Sequence, residues 1–233
     1  MSVAENIREV EAKIAAAAEK SGRKAEDVLL LAVSKTKPVE LIGEAVQAGC
    51  VSLGENKVQE IMEKYEPMME YAPEGDRIHW HLIGHLQTNK VKYIIDKVDM
   101  IHSLDSEKLA YEIDRQCAKI GKTMNVLCEI NCGREENKSG IMPENAEEFC
   151  LGLSKYKNIK LCGFMTMAPA ASDFDDYRKY FSETVKLVLD IWHKKLHNIE
   201  RPVISMGMSG SFEAAIAEGS TIVRIGRSLF AKE

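Results

Sequence analysis

Lys35 is the residue whose type and place say most about chemistry. It follows the apolar run at residues 28–34 (VLLLAVS) and shares the alternation of Leu29, Leu31 and Val33, so it projects from the same side of a strand as they do. A lysine at the end of a buried strand is costly unless it is paired or uncharged. A desolvated amine has a lowered pKa and becomes a nucleophile toward carbonyl carbons. The plainer reading is a lysine whose ammonium snorkels out to solvent. Lys37, two residues on, competes as the nucleophile and is also a candidate anion binder.

Near the other end of the chain, Ser205, Met206, Gly207, Met208, Ser209, Gly210 and Ser211 form a small-residue turn opening a helix at 212–218. Backbone N–H groups at such a helix start point at an anion, helped by the helix dipole. Arg224 and Gly226 close the last apolar run, and Gly226 lets a backbone approach closely. Together these read as a phosphate site; an ordinary Ser/Gly cap and a glycine turn are the plainer reading.

Other constellations carry less. His79, His81 and His85 have H-x-H-x3-H spacing without an obvious carboxylate partner, so no metal is expected. Cys128 and Cys132 lack a second pair for zinc, and His193 and His197 lack the glutamate of a metalloprotease helix. Neither a G-x-G-x-x-G dinucleotide fingerprint nor a G-x-S-x-G nucleophile elbow occurs.

Elements must position these residues. Strand-length apolar runs lie near 28–34, 51–54, 78–83, 99–104, 124–131, 160–166, 202–206 and 221–225. Helical segments alternate with them at 39–48, 56–70, 87–97, 106–120, 144–156, 174–197 and 210–218. The 174–197 segment is the clearest, with Tyr177, Phe181, Val185, Val188 and Trp192 on one stripe. Eight strands alternating with helices predict a single (β/α)8 (TIM) barrel over residues 1–233, with an open doubly wound sheet as the structural rival. Ile7, Val10, Ile14 and Ala17 mark an extra N-terminal helix packed on the barrel. Barrel chemistry sits after the carboxyl ends of strands, and here each run is followed by polar or glycine residues.

Composition bounds the rest. The 31 basic and 36 acidic residues leave a net charge of −5, which argues against a broad cationic surface for nucleic acid. An apolar fraction of 45% and a charged fraction of 29% suit a globular chain of 233 residues. The longest uncharged run, residues 161–172, contains Gly163 and Pro169 and is too short to span a bilayer. Glu5, Glu9 and Glu11 interrupt any signal peptide, so the expected place is the cytoplasm. The six scattered cysteines then read as small core residues.

Several blocks together resemble one family: residues 32–38 (AVSKTKP), 54–60 (GENKVQE), 80–90 (WHLIGHLQTNK), 138–140 (KSG), 163–167 (GFMTM), 205–209 (SMGMS) and 223–226 (VRIG). In this order they are similar to the pyridoxal 5′-phosphate homeostasis proteins, the YggS/PROSC family. The resemblance implies an alanine racemase N-terminal domain-like barrel (fold-type III) that holds pyridoxal phosphate as a Schiff base. On it, Lys35 matches the Schiff-base lysine and Arg224 the arginine facing the pyridine nitrogen. Ser205, Met206, Gly207, Ser209 and Gly226 match the phosphate cradle, and Asn56 a residue beside the ring. Two departures touch the phosphate: Arg227 stands where the family commonly has a small hydroxyl residue, and Gly210 where an acidic or small residue is frequent.

The function implied is a carrier that buffers the cofactor and maintains vitamin B6 homeostasis with little or no catalysis. A racemase needs an acid–base group on each face of the substrate. In the racemases resembled here the second comes from another domain, and this sequence ends at Glu233, about where the barrel closes. An arginine at the pyridine nitrogen also keeps the ring a poor sink for carbanion charge. The expected partners are pyridoxal phosphate and the apo-enzymes that use it, with no nucleic acid or membrane, and a monomer is expected. The alternatives are a small amino-acid racemase or related enzyme using the same cofactor, and a cofactor-free barrel isomerase acting on a phosphorylated metabolite.

Overall fold

The structure, a computed structural model, describes residues 2–171, 173–194 and 201–231. Its centre is a closed barrel of eight parallel strands in chain order: β1 (Leu29–Val33), β2 (Ser52–Glu55), β3 (His79–Leu82), β4 (Met100–Leu104), β5 (Met124–Ile130), β6 (Ile159–Thr166), β7 (Val203–Ser205) and β8 (Ile222–Ile225). Strand β1 pairs with β2 on one side and β8 on the other, so the open-sheet rival is excluded.

The apolar runs form strands because both faces are buried, as parallel barrels require. The inner face is narrow: Leu31, Val33, Ile83 and Ile222 form one cluster, and Leu127, Cys162 and Met165 another. The outer face carries Ala32, Leu53, Trp80, Leu82, Val126, Phe164 and Val223 into the larger core beneath the helices. Five of the six cysteines are buried and Cys132 is half-buried. Burial pushes the thiols of Cys50 and Cys117 up to about 12 and about 11, so both stay neutral.

Around the strands run α1 (Val3–Lys20), α2 (Val39–Gln47), α3 (Val58–Met68), α4 (Val91–Ile94), α5 (Glu107–Ile120), α6 (Ala146–Gly152), α7 (Phe174–His193), α8 (Phe212–Ala217) and α9 (Arg227–Phe230). The stripe on α7 faces the barrel: Phe181, Val188 and Trp192 are buried, and Trp192 meets Phe164 edge-on at 6.3 Å. His197 lies outside the described residues. Helix α1 opens with a capping box between Ser2 and Glu5 and buries Ile7, Val10, Ile14 and Ala18. Asn6 Nδ2 donates to the carbonyls of Leu229 (3.0 Å) and Ala231 (3.2 Å), joining α1 to the end of α9.

Some expected helices are shorter or broken. Residues 87–97 hold a 3-10 turn (Thr88–Lys90) and the single turn of α4. The 144–156 segment is divided among a 3-10 turn opened by Pro143, α6, and a second 3-10 turn starting after Gly152. A proline favours a helix start and a glycine weakens continuation, which explains the division. Among the described residues no helix is long and apolar enough to cross a membrane.

Candidate functional site at the barrel mouth

Strand parity sends a layer of polar side chains into the pore. Arg224 follows Ile222 inward from β8 and is only 4% exposed. Its Nη1 donates to the Ser205 carbonyl (2.7 Å) and Ser205 Oγ (2.8 Å), and its Nη2 donates to the Thr166 carbonyl (2.9 Å). Three of the guanidinium's five N–H bonds are thus used, and the other two have no acceptor among the described residues. Burial lowers its pKa to about 10, while Glu129 opposes the shift, so it stays cationic near neutrality.

Ser205 passes the polarity on. Its Oγ lies 3.0 Å from His102 Nδ1, and His102 Nε2 lies 2.9 Å from His81 Nδ1. Arginine only donates, so Ser205 Oγ accepts from it and keeps a second lone pair and its own proton for the contact with His102 Nδ1. In a neutral pair one of the two facing nitrogens, His102 Nε2 or His81 Nδ1, carries a proton and the other accepts it. Burial agrees with this neutral pair: it holds His102 well below the ordinary histidine range and His81 at about 4.

Glu129 enters the same pore from β5, two residues after Leu127. It is 4% exposed, and its Oε2 has no hydrogen-bond partner. Burial, reinforced by Asp105 and opposed by Arg224, raises its pKa to about 7. Sequence reasoning passed over Glu129 and His102, although each is a polar residue with pore parity inside an apolar run.

Lys35 departs from its expected setting. Strand β1 stops at Val33, and the chain turns with the Lys37 amide donating to the Ser34 carbonyl (3.1 Å). The Lys35 side chain is therefore exposed at the mouth rather than desolvated, and its amine has no hydrogen bond or ion pair among the described residues. Lys37 is half-buried with Nζ 6.0 Å above the Phe230 ring, which turns it toward α9.

The turn after Lys35 is held from outside the barrel. Glu55, facing the helices, accepts from Ser34 Oγ (2.7 Å) and from Lys64 Nζ (2.7 Å) on α3. Lys64 Nζ also donates to the Ser34 carbonyl (2.9 Å) and to Glu60 Oε2 (2.8 Å), which in turn accepts the Thr36 amide (2.6 Å). Asn56 follows directly, half-buried, against Gly84: a Cβ on Gly84 would run into the Asn56 carbonyl.

The loops after β7 and β8 form the rest of the rim. Gly207 adopts φ 91° and accepts the Arg224 amide (3.0 Å), which ties the two loops together. Met206, expected in the cradle, offers it no unpaired backbone donor. Its side chain lies in the outer core, its amide donates to Ile222 and its carbonyl accepts from Ser220, so it has no free donor. The amides of Ser209, Gly210, Gly226 and Arg227 donate to no acceptor among the described residues. A Cβ on Gly226 would sit 2.9 Å from the Val33 carbonyl, so glycine keeps this edge close to the Lys35 turn. The side chain of Arg227 is exposed.

The three histidines of the H-x-H-x3-H pattern separate: His79 faces Asp76 and Asp99, His81 faces His102, and His85 faces Asp105. Among the described residues no three His, Cys, Asp or Glu side chains gather as a metal site.

A closed barrel with a free lysine after β1, a buried arginine on β8 and unpaired amides after β7 and β8 defines the alanine racemase-like class of barrels. The family model for the alanine racemase N-terminal domain matches residues 6–233. Within that class the chain belongs to the pyridoxal phosphate homeostasis protein family. The member from Aquifex aeolicus is 42% identical over 230 residues, covering 99% of this chain and 98% of that protein. PipY from Synechococcus elongatus, whose structure has PLP bound, is 28% identical with a TM-score of 0.84, covering 99% of this chain and 100% of PipY. Alanine racemase from Clostridium difficile shares the fold, with a TM-score of 0.73 at 18% identity, covering 98% of this chain and 57% of the racemase.

Proposed function

We propose that this chain binds pyridoxal phosphate at the barrel mouth, buffers and carries it to maintain vitamin B6 homeostasis, and turns over little or no substrate. The observation that carries the reading is the unmet donor set at one rim: the Lys35 amine, two N–H bonds of buried Arg224, and the amides of Ser209, Gly210, Gly226 and Arg227. The names of the relatives and the PLP-bound state of PipY support the same cofactor.

The residues fit the group in kind. Pyridoxal phosphate brings a reactive aldehyde, an acceptor nitrogen in its ring and a dianionic phosphate. Lys35 would supply the uncharged amine that condenses with the aldehyde carbon, the aldehyde oxygen leaving as water with the two amine protons. The Ser209, Gly210, Gly226 and Arg227 amides supply charge-assisted donors for phosphate, and Ser205 and Gly207 hold that loop against Arg224. Met206 is an anchor in the core, and Asn56, half-buried against Gly84 at the end of β2, is assigned to the side of the cofactor ring. The two open N–H bonds of Arg224 would hold the ring nitrogen and keep it unprotonated, which would favour holding the cofactor over carbanion chemistry. We assign residues 1–233 to one domain working as a cytoplasmic monomer. Its recipients are apo-enzymes that use pyridoxal phosphate, and it needs neither nucleic acid nor membrane.

Borohydride reduction after loading with pyridoxal phosphate, followed by peptide mapping, tests the site. The label should map to Lys35. Lys35→Ala should lose the visible absorbance while retaining phosphate-driven affinity, and unchanged trapping in that variant would overturn the assignment. Amino-acid racemisation or elimination that depends on Lys35 would overturn the non-catalytic reading.

A further inference from the structure

The chain on both sides of Lys35 is held by one buried ammonium. Lys64 grips the Ser34 carbonyl directly (2.9 Å) and the Thr36 amide through Glu60 (2.8 and 2.6 Å). Its third donor goes to Glu55 Oε1 (2.7 Å), which also accepts from Ser34 Oγ (2.7 Å). All three ammonium hydrogens thus have acceptors, while the Lys64 side chain is 8% exposed and that of Glu55 is fully buried.

This is an expensive arrangement for fold stability alone, since a buried ion pair is seldom better than a packed apolar pair. Thr36, the residue after Lys35, has φ 62°, a left-handed conformation that a β-branched residue takes only when its surroundings impose it. The strain and the ion cluster meet at the same turn. Lys35 itself has no hydrogen bond or ion pair among the described residues, so its backbone is fixed and its amine is left free.

We propose that Lys64, acting through Glu55 and Glu60, is a positioning residue that aims the Lys35 amine at the carbonyl carbon of the bound aldehyde. The proposal rests on the pyridoxal phosphate reading above. Three separate acceptors around one nitrogen suit an ammonium better than a planar guanidinium, so arginine should substitute poorly. The conformational freedom that the clamp removes is freedom the reacting amine would otherwise have to lose on each encounter.

The test separates attachment from binding. Pyridoxine 5′-phosphate has the same ring and phosphate but no aldehyde, so its affinity reports the cradle alone. In Lys64→Met that affinity should stay within about twofold, while borohydride-trappable attachment of pyridoxal phosphate at Lys35 slows by about tenfold or more. Should Lys64→Met not fold, Glu60→Ala removes only the arm to Thr36 and leaves the Glu55–Lys64 pair intact; it should slow attachment by about threefold or more. Attachment at the wild-type rate in a folded variant overturns the proposal. So does a parallel fall in pyridoxine phosphate affinity and melting temperature, which would make the cluster merely structural. Failure of the wild-type protein to attach pyridoxal phosphate at Lys35 would instead sink the functional reading itself.

Discussion

Replacing Glu129 by glutamine isolates the cost of a carboxylate in the pore. The group is 4% exposed, its Oε2 has no partner, and burial raises its pKa from the ordinary 4.5 to about 7, with Asp105 adding and Arg224 opposing. The folded protein therefore keeps a proton that the unfolded chain has already released between those values. The stability this contributes is fully present below pH 4.5 and is lost as pH rises through about 7. At about 1.4 kcal/mol per pH decade, the interval amounts to about 3 kcal/mol above neutrality. Glutamine has nearly the same shape and no charge to bury. The stability of Glu129→Gln relative to wild type should thus rise by about 2–3 kcal/mol between pH 5 and pH 8. Urea unfolding of cofactor-free protein, followed by circular dichroism across that range, measures the difference. An offset that stays constant from pH 5 to pH 8 would refute the argument that this carboxyl titrates in the folded pore.

Arg224→Met strips the donors from Ser205 and the Thr166 carbonyl at the centre of the barrel, and urea unfolding should show a loss of about 2–4 kcal/mol. An unchanged midpoint would mean that these contacts are replaced by water. Gly226→Ala places a methyl against the Val33 carbonyl; calorimetric titration should show pyridoxal phosphate affinity reduced about tenfold, or about 1.4 kcal/mol. Wild-type affinity there would show that the rim between β8 and the Lys35 turn does not grip the cofactor.

The barrel was legible because strands buried on both faces are continuous apolar runs, and eight of them alternate with helices. Arg224 was legible through its place at the end of the last run. Glu129 and His102 were hidden for the same reason that the strands were visible: a run judged by its overall apolarity masks the polar residue inside it. Alternation was the available signal, since Glu129 is two residues past Leu127 and His102 two past Met100. Lys64 falls on the stripe of α3 with Val58, Ile61 and Met68, so a charge on a buried face marked it. What it grips could not be read, because Ser34 and Glu55 reach it only through the fold. The exposure of Lys35 has the same origin, since the contacts from α3 draw the chain into a turn where alternation alone extends the strand.

The bond from Asn6 to Leu229 spans 223 positions of the chain, and β1 pairs with β8 across nearly as much. During synthesis the first helix thus cannot complete its seat against α8 and α9, nor the ring close, until β8 and α9 have emerged. Until then the stripe of Ile7, Val10 and Ile14 and the open edge of β1 are surfaces for chaperones, or for a neighbouring unfinished copy. Synthesis speed and chaperone supply should therefore govern the yield of this protein more strongly than its final stability does.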